Sequence, residues 1–432
     1  MSALSPVMSV FIFGNGVLHI AGTGAALAFV AGGVFSALFA LLYAELVAAF
    51  PSAGGVYRSF AALIGPRWSF SYVTLAVPLQ YFQLAFAGLG LGTYLHTLIP
   101  QVPTLALAVA SLGATGLVAI LGVKSNATVT GLFLAVEMLA LAILTAVAVS
   151  HLQAAPQRIV FHPVMLAGSG LVPTPSATLA LAMVSGAWAT SGASWAIPFA
   201  EEMHDVQARI GRVVAWAGTI ASLVIAIPFI LVVLAISDLP TVLSSEAPMA
   251  AFLRESAGPT VTVLITIGVV AAMFNALIAM IMGSSRFVFS VGRDGFFPAR
   301  ISLWVAKVHP KFRSPYVAAL TLIALGALFM LVGERGLLIL TSGNIFEYFL
   351  VSVAVWLGRR AGKTGRFFAA PLHPLVPLFG LLGGVGTLIA NALDGDAGRP
   401  SMVLLSTVFF AATLFYEWRR RRTGHDFVMS GT

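Results

Sequence analysis

Three ionisable residues stand inside long apolar stretches of this 432-residue chain: Glu137, Glu347 and His19. A charge is costly in such surroundings, so these positions are where chemistry is to be sought first. Glu137 sits at the centre of LFLAVEMLALAI, residues 132–143. A carboxyl group there can take up and release a proton or contact a polar solute; the competing reading is a structural carboxyl satisfied by hydrogen bonds. Glu347 reads as a structural or cavity-facing carboxyl, and His19 as an interface residue near a helix end. Asn275 and Gln83 are amides at similar depth, which either line a cavity or bond one helix to another. The three ionisable groups fall in three different segments with no paired spacing, which argues against a membrane-embedded hydrolase. The chain has no cysteine, no His-Glu-x-x-His stretch and no Gly-x-x-x-x-Gly-Lys-Ser/Thr loop. Thiol and Fe–S chemistry, a helical zinc hydrolase and a nucleotide-driven pump therefore lack their residues. The expectation is a non-enzyme with no catalytic residue, no metal and no cofactor beyond a coupling proton.

These side chains must be positioned by transmembrane helices. The chain is 59% hydrophobic and 9% charged, against about 25% charged in soluble domains. Apolar runs long enough to cross the hydrocarbon layer recur from end to end. Turn and charge punctuation predicts helices near 4–21, 24–50, 68–98, 103–121, 126–150, 176–199, 211–236, 259–288, 315–332, 336–357, 370–391 and 401–417. The fold class is thus all-α integral membrane, with about a dozen spans by the length rule. The opening MSALSPVMSVFIF has no cationic start or small-residue cleavage site and reads as part of the first span, not as a signal peptide.

Counting sides from a cytoplasmic start tests this map. All but four of the 23 Lys+Arg residues then fall on the inner side, the exceptions being Arg158, Arg254, Arg335 and Arg399. This is the positive-inside pattern. It places both termini in the cytoplasm and the protein in the plasma (inner) membrane. The net charge of +8 accordingly reflects orientation, not a nucleic-acid partner. The run Arg419–Arg422 reads as a stop-transfer anchor at anionic headgroups. The longest outer connections, 151–175 and 237–258, are placed to cap an external vestibule.

Four segments at inner helix ends carry a further signal: YAELVAAFPSAGGVYR at 43–58, FAEEMHDVQARIGR at 199–212, SRFVFSVGRDGFFP at 285–298 and KFRSPYVA at 311–318. Gly54 and Gly55 permit a tight turn. Glu45, Glu201, Glu202 and Asp205 have Arg58, Arg209, Arg286 and Arg293 near them in topology, which predicts gating or structural ion pairs. In this order and spacing the segments resemble the amino acid–polyamine–organocation permeases. The resemblance implies the leucine-transporter fold, a 5+5 inverted repeat plus two peripheral helices. It assigns 1–150 to the first repeat, 151–175 to an outer loop, 176–357 to the second repeat, 370–417 to helices 11 and 12, and 418–432 to a cytoplasmic tail. It also implies a small-molecule amino acid or amine as partner within the lipid bilayer, carried by a monomer or weak dimer.

In such permeases the solute lies mid-membrane between two broken helices, whose exposed backbone is tolerated only where it lines a cavity. The stretch SGAWATSGASW, 185–195, is similar to the family's interrupted helix 6. By that likeness Trp188, Ala189 and Thr190 present carbonyls, Ser191-Gly192 marks the break, and Trp188 covers the solute. The competing reading is helix packing through small residues. Ala193 and Ser194 depart from the family's Phe and acidic residue, so the substrate is expected to differ. The family's helix 1 break, placed by its distance from the outer turn at Ala21–Gly24, falls at Ser5-Pro6-Val7-Met8-Ser9. Pro6 removes a donor there and disfavours helix at Ser5. Little chain then remains for the inner half of helix 1, so that helix is expected mainly as its outer half. Gly14-Asn15-Gly16 lies too close to the outer turn for the break, and Asn15 is kept as a lining candidate. Glu137 resembles the position where proton-coupled relatives carry a lysine. The leading expectation is a proton-coupled amino acid or amine transporter. The alternatives are an amino acid/amine exchanger of the same fold and a transport-dead membrane sensor.

Overall fold

With no water to bond, a chain in hydrocarbon satisfies its own N–H and C=O groups, and a helix does so within one segment. A computed structural model of the chain describes residues 5–121, 123–153, 155–168, 170–341 and 345–423. The side chains at 123–127, 156–158, 345 and 423 lie outside that description, and with them the expected inner Lys124 and outer Arg158. So do residues 1–4 of the first expected repeat and 424–432 of the expected tail.

The described residues are mainly helical, and several of the expected helices have counterparts whose ends shift by a few residues, as with Ala25–Ala49, Pro66–Leu98, Thr104–Ile120, Val206–Ala235 and Leu375–Leu393. Among the described residues, eight helical stretches are long and apolar enough to cross a membrane. One of them, Pro6–Ala49, has 44 residues, or about 66 Å of helix against a hydrocarbon layer of about 30 Å. It turns at Gly22–Gly24, where Gly22 has φ 56°, a conformation glycine adopts without a Cβ penalty.

Three features depart from simple rods. The run 6–21 is helical without a break at Gly14–Gly16, but Ser9–Phe13 winds as a π-helical turn between Pro6–Met8 and Gly14–Ala21. Pro248–Arg293 is kinked at Gly258 (φ 81°), just before Pro259; a proline fits best at the start of a helix, so the chain restarts there and the segment reaches beyond the expected 259–288. Third, the outer connection expected at 151–175 carries the helix Pro156–Phe161 and an antiparallel hairpin, β1 (Val164–Ala167) with β2 (Gly170–Pro173).

The chain divides into two compact units. The first comprises Met1–Ala37, Thr128–Gly192 and Ala217–Ala276. Its organising contact is a glycine crossing. A Cβ on Gly32 would meet the Ala187 nitrogen at 2.3 Å, and one on Gly186 would meet the Ala28 carbonyl oxygen at 2.4 Å. Two backbones this close are held by dispersion and by hydrogen bonds between helices. Ser36 Oγ donates to the Ala187 carbonyl at 2.7 Å and lies 3.0 Å from Thr190 Oγ1. Phe29 stacks on Phe229 with centroids 3.9 Å apart. The hairpin is tied to the Gly22 turn. Thr23 Oγ1 accepts from the Val164 N–H at 2.9 Å, and Thr174 Oγ1 donates to the Ala21 carbonyl at 3.1 Å.

The second unit comprises Leu38–Ala127, Ala193–Trp216 and Leu277–Thr432. Several of its ion pairs lie on the segments that carry the family resemblance. Arg293 grips Glu201 with two hydrogen bonds of 2.9 and 2.8 Å, and Ala53 N–H adds a third at 3.0 Å. Arg58 binds Asp294 through Nε and Nη2 at 3.0 and 2.7 Å, and Tyr57 OH donates to the same carboxylate at 2.7 Å. Arg286 pairs with Glu202 at 2.6 Å and stacks over Phe199. Asp205 pairs with Arg209. Glu45, however, pairs with Arg359, outside the expected set. Arg359 Nε and Nη2 donate to it at 2.5 and 2.7 Å, while Thr364 Oγ1 and Ala370 N–H each donate at 2.8 Å. The arginine lies 314 residues further along the chain, beyond any local pattern.

Two predictions follow from these contacts. Gly186→Ala places a methyl where a backbone oxygen stands, and overpacking of this kind costs about 1–3 kcal/mol. Thermal unfolding in detergent should show that loss, while Gly131→Ala, where a Cβ meets nothing within 4 Å, should not. The hydrogen bonds from Arg293 hold the half-buried Glu201 carboxyl below the usual carboxylate range. A depressed pKa stabilises the fold fully above the unfolded value of 4.5, and that contribution fades as pH falls through the folded value. The Tm of the native protein should therefore fall more steeply below pH 4.5 than that of Glu201→Gln.

Candidate functional site

Every candidate residue except Glu347 and Gln83 falls within the first unit. The site is built from two helix ends. The run 6–21 begins at Ser5, which is fully buried and adopts a left-handed backbone (φ 35°, ψ 82°). Left-handed geometry is strained for a non-glycine residue and persists only where the surroundings hold it. Here Ser5 caps the helix: its Oγ accepts from Met8 N–H at 3.3 Å, and its carbonyl accepts from Ser9 N–H at 3.0 Å.

Pro6 has no N–H, so the next free donor at this helix start is that of Val7. Glu137 takes it: Val7 N–H donates to Glu137 Oε1 at 3.1 Å. A carboxylate suits the positive end of a helix. The Glu137 side chain is completely buried, with Ser5 and Asn275 beside its carboxyl group. Its second oxygen, Oε2, has no hydrogen-bond partner among the described residues, and neither has the amide oxygen or nitrogen of Asn275, which is also completely buried. Buried polar atoms rarely stay unpaired, so this corner is built for something further.

The second helix end is that of Ser176–Thr190. The helix stops at Thr190; Ser191 is extended (φ −80°, ψ 161°) and Gly192 has φ 140°. The chain resumes as a 3-10 turn over Ala193–Glu202. Trp188 C=O accepts from Ser191 N–H at 3.1 Å and from Ser191 Oγ at 2.9 Å. Thr190 Oγ1 donates to Gly186 C=O at 2.9 Å, and Ser222 Oγ reaches the Thr190 carbonyl at 3.5 Å. The carbonyl end of a helix carries partial negative charge and suits an ammonium group. The two ends belong to packed segments: the π turn Ser9–Phe13 lies against this helix, and Phe13 meets Trp188 edge to face with centroids 4.7 Å apart. Ala189 is buried, and Met8, Trp188, Ser191 and Gly192 are partly exposed.

The remaining candidates separate. Asn15 Oδ1 accepts from Met249 N–H at 2.9 Å and so ties the first helix to the segment after the outer connection. His19 is exposed two residues before its helix ends at Ala21. Glu347 lies in the second unit, where Tyr43 OH donates to it at 2.7 Å. Phe13 is the site residue that sequence reasoning missed. Its signal is position: it stands one turn after Ser9, facing the tryptophan already singled out.

The arrangement offers a donor-bearing helix start and a carbonyl-bearing helix end within one unit. A buried carboxyl group stands at the first, and an aromatic pair bridges the segments. A model of the amino acid permease family matches residues 1–425. The branched-chain amino acid permease BcaP of Bacillus subtilis (strain 168) is 27% identical over 409 residues, covering 86% of this chain and 83% of its own length. The methylthioribose transporter of the same organism is 25% identical over 402 residues, at 85% and 82% coverage. The human Asc-type amino acid transporter 1 is 28% identical over 345 residues, at 76% and 63% coverage.

Proposed function

This chain belongs to the amino acid permease family, and we propose that it is a proton-coupled secondary transporter for an amino acid with an apolar side chain. As a family member it is a multi-pass membrane protein with a small amino acid as its partner. The proposal adds twelve spans arranged as a 5+5 inverted repeat with two peripheral helices, both termini in the cytoplasm, and alternating access around the two helix ends.

One observation carries the reading: a helix start and a helix end, the two halves of a zwitterion's binding surface, stand in one unit beside a buried carboxyl group. The start of 6–21 suits the solute carboxylate and the end of Ser176–Thr190 suits its ammonium group. Glu137 is the one charged side chain among the candidates of this unit, and the Phe13–Trp188 pair offers apolar surface. A neutral, apolar side chain on the substrate fits those surroundings, and the branched-chain permease among the relatives supports that class. Glu137 is the proton carrier in this scheme: buried beside a helix that begins in mid-span, it changes charge as access alternates between the two aqueous sides.

The test is uptake of labelled leucine into proteoliposomes, with and without an imposed pH gradient and with and without internal leucine. An inward proton gradient should drive accumulation, and Glu137→Gln should abolish the pH dependence while leaving membrane insertion intact. Uptake stimulated by internal leucine but indifferent to the gradient would contradict symport and establish exchange.

A further inference from the structure

The donors at the start of 6–21 are already spoken for. Pro6 supplies none, Met8 N–H is held by Ser5 Oγ, and Val7 N–H by Glu137 Oε1. A solute carboxylate arriving at this helix end finds another carboxylate in its seat. Two carboxylates at one helix end repel strongly where water is excluded.

We propose that Glu137 is a built-in stand-in for the substrate carboxylate, displaced from Val7 N–H on binding and received, protonated, by Asn275. This rests on the amino acid transporter reading above. The unpaired atoms support it. A carboxylate only accepts hydrogen bonds, whereas a protonated carboxyl group has one O–H donor and one carbonyl acceptor. A carboxamide is its complement: Asn275 Oδ1 accepts the O–H and Asn275 Nδ2 donates to the carbonyl. Among the described residues neither of those Asn275 atoms nor Glu137 Oε2 has a partner at hydrogen-bond distance while the helix end is held by Glu137, although Asn275 stands close enough to the carboxyl group to act on it. The exchange balances. One anion replaces another at the helix start, and Glu137 takes up one proton from solution to become neutral. Proton and substrate are thereby linked one to one.

Among the described side chains on the long helices of this unit, no other charge stands near enough to do this. On the elements of this unit, 6–21 carries only His19, about 18 Å along the helix from Val7 at 1.5 Å per residue. Segment 248–276 carries Arg254 and Glu255 before the Gly258 kink, about 25 Å or more along the helix from Asn275. Segments 25–37, 176–190 and 217–235 carry no titratable side chain, and 128–150 carries Glu137 alone. Lys124 and the α-amino group of position 1 lie outside the described side chains.

The experiment is isothermal titration of the purified, full-length protein in pairs of buffers that differ in ionisation enthalpy, which reads protons taken up per ligand. The ligands are leucine and 3-methylbutylamine, the same skeleton without the carboxylate. Above neutral pH, leucine binding should take up close to one proton and tighten about tenfold per unit of acidification; the amine should take up none. Glu137→Gln should bind leucine with no proton uptake and a flat pH profile. Asn275→Ala should keep the uptake but move its midpoint to lower pH, and Asn275→Gln should restore it in part. Equal proton uptake with leucine and the amine overturns the proposal without recourse to any variant, as does undiminished uptake in Glu137→Gln. Binding of neither ligand nor any other amino acid would sink the transporter reading, and this inference with it.

Discussion

A helix end buried away from water must find partners for the groups that the helix no longer pairs. The rest of this structure depends on how that demand is met at Ser5 and at Ser191-Gly192. At the first, Ser5 Oγ and Glu137 Oε1 receive the N–H groups of Met8 and Val7. At the second, Ser191 turns back on the Trp188 carbonyl, and Ser222 reaches that of Thr190. Both helix ends are held by polar side chains, and the glycine crossing at Gly32 and Gly186 brings Ser36 close enough to bond Ala187. Small residues are thus what permit the polar ones to act.

Glu45 and Glu137 show how one residue type serves two purposes. Both are completely buried. Glu45 is met by a bidentate Arg359, by Thr364 Oγ1 and by Ala370 N–H. Breaking such a pair by removing one partner leaves a buried charge and costs about 3–5 kcal/mol. That carboxylate is a fastening. Glu137 has one backbone donor and an unpaired second oxygen. Its ionised form is under-satisfied, and the amide beside it is under-satisfied as well. A group in that state is poised to trade partners, which suits a carrier and not a fastening.

Much of this was legible in the residues because spacing and punctuation carry it. The break after Thr190 could be placed from SGAWATSGASW because that stretch resembles the family's interrupted helix 6. The pairs of Arg286 with Glu202 and of Arg293 with Glu201 were legible because these residues stand at neighbouring helix ends, whereas Arg58 takes Asp294, an acid outside the expected set. What stayed hidden was long-range. Arg359 reaches Glu45 from a helix 314 residues away. Asn275 becomes meaningful only when it is seen beside Glu137. The π turn at Ser9–Phe13 follows from packing that no periodicity reveals, and it is what sets Phe13 against Trp188. The hairpin at 164–173 was hidden for a related reason: its strands are short, and Thr23 on a distant turn holds them.

The central claim is that substrate and proton cross together through the site that contains Glu137. Its most direct measurement is simultaneous recording of leucine entry and internal pH in proteoliposomes loaded with a pH-sensitive dye. The account predicts that external leucine acidifies the interior, with one proton entering per leucine, and that the acidification disappears in Glu137→Gln. Leucine entry at full rate with no change in internal pH would contradict it.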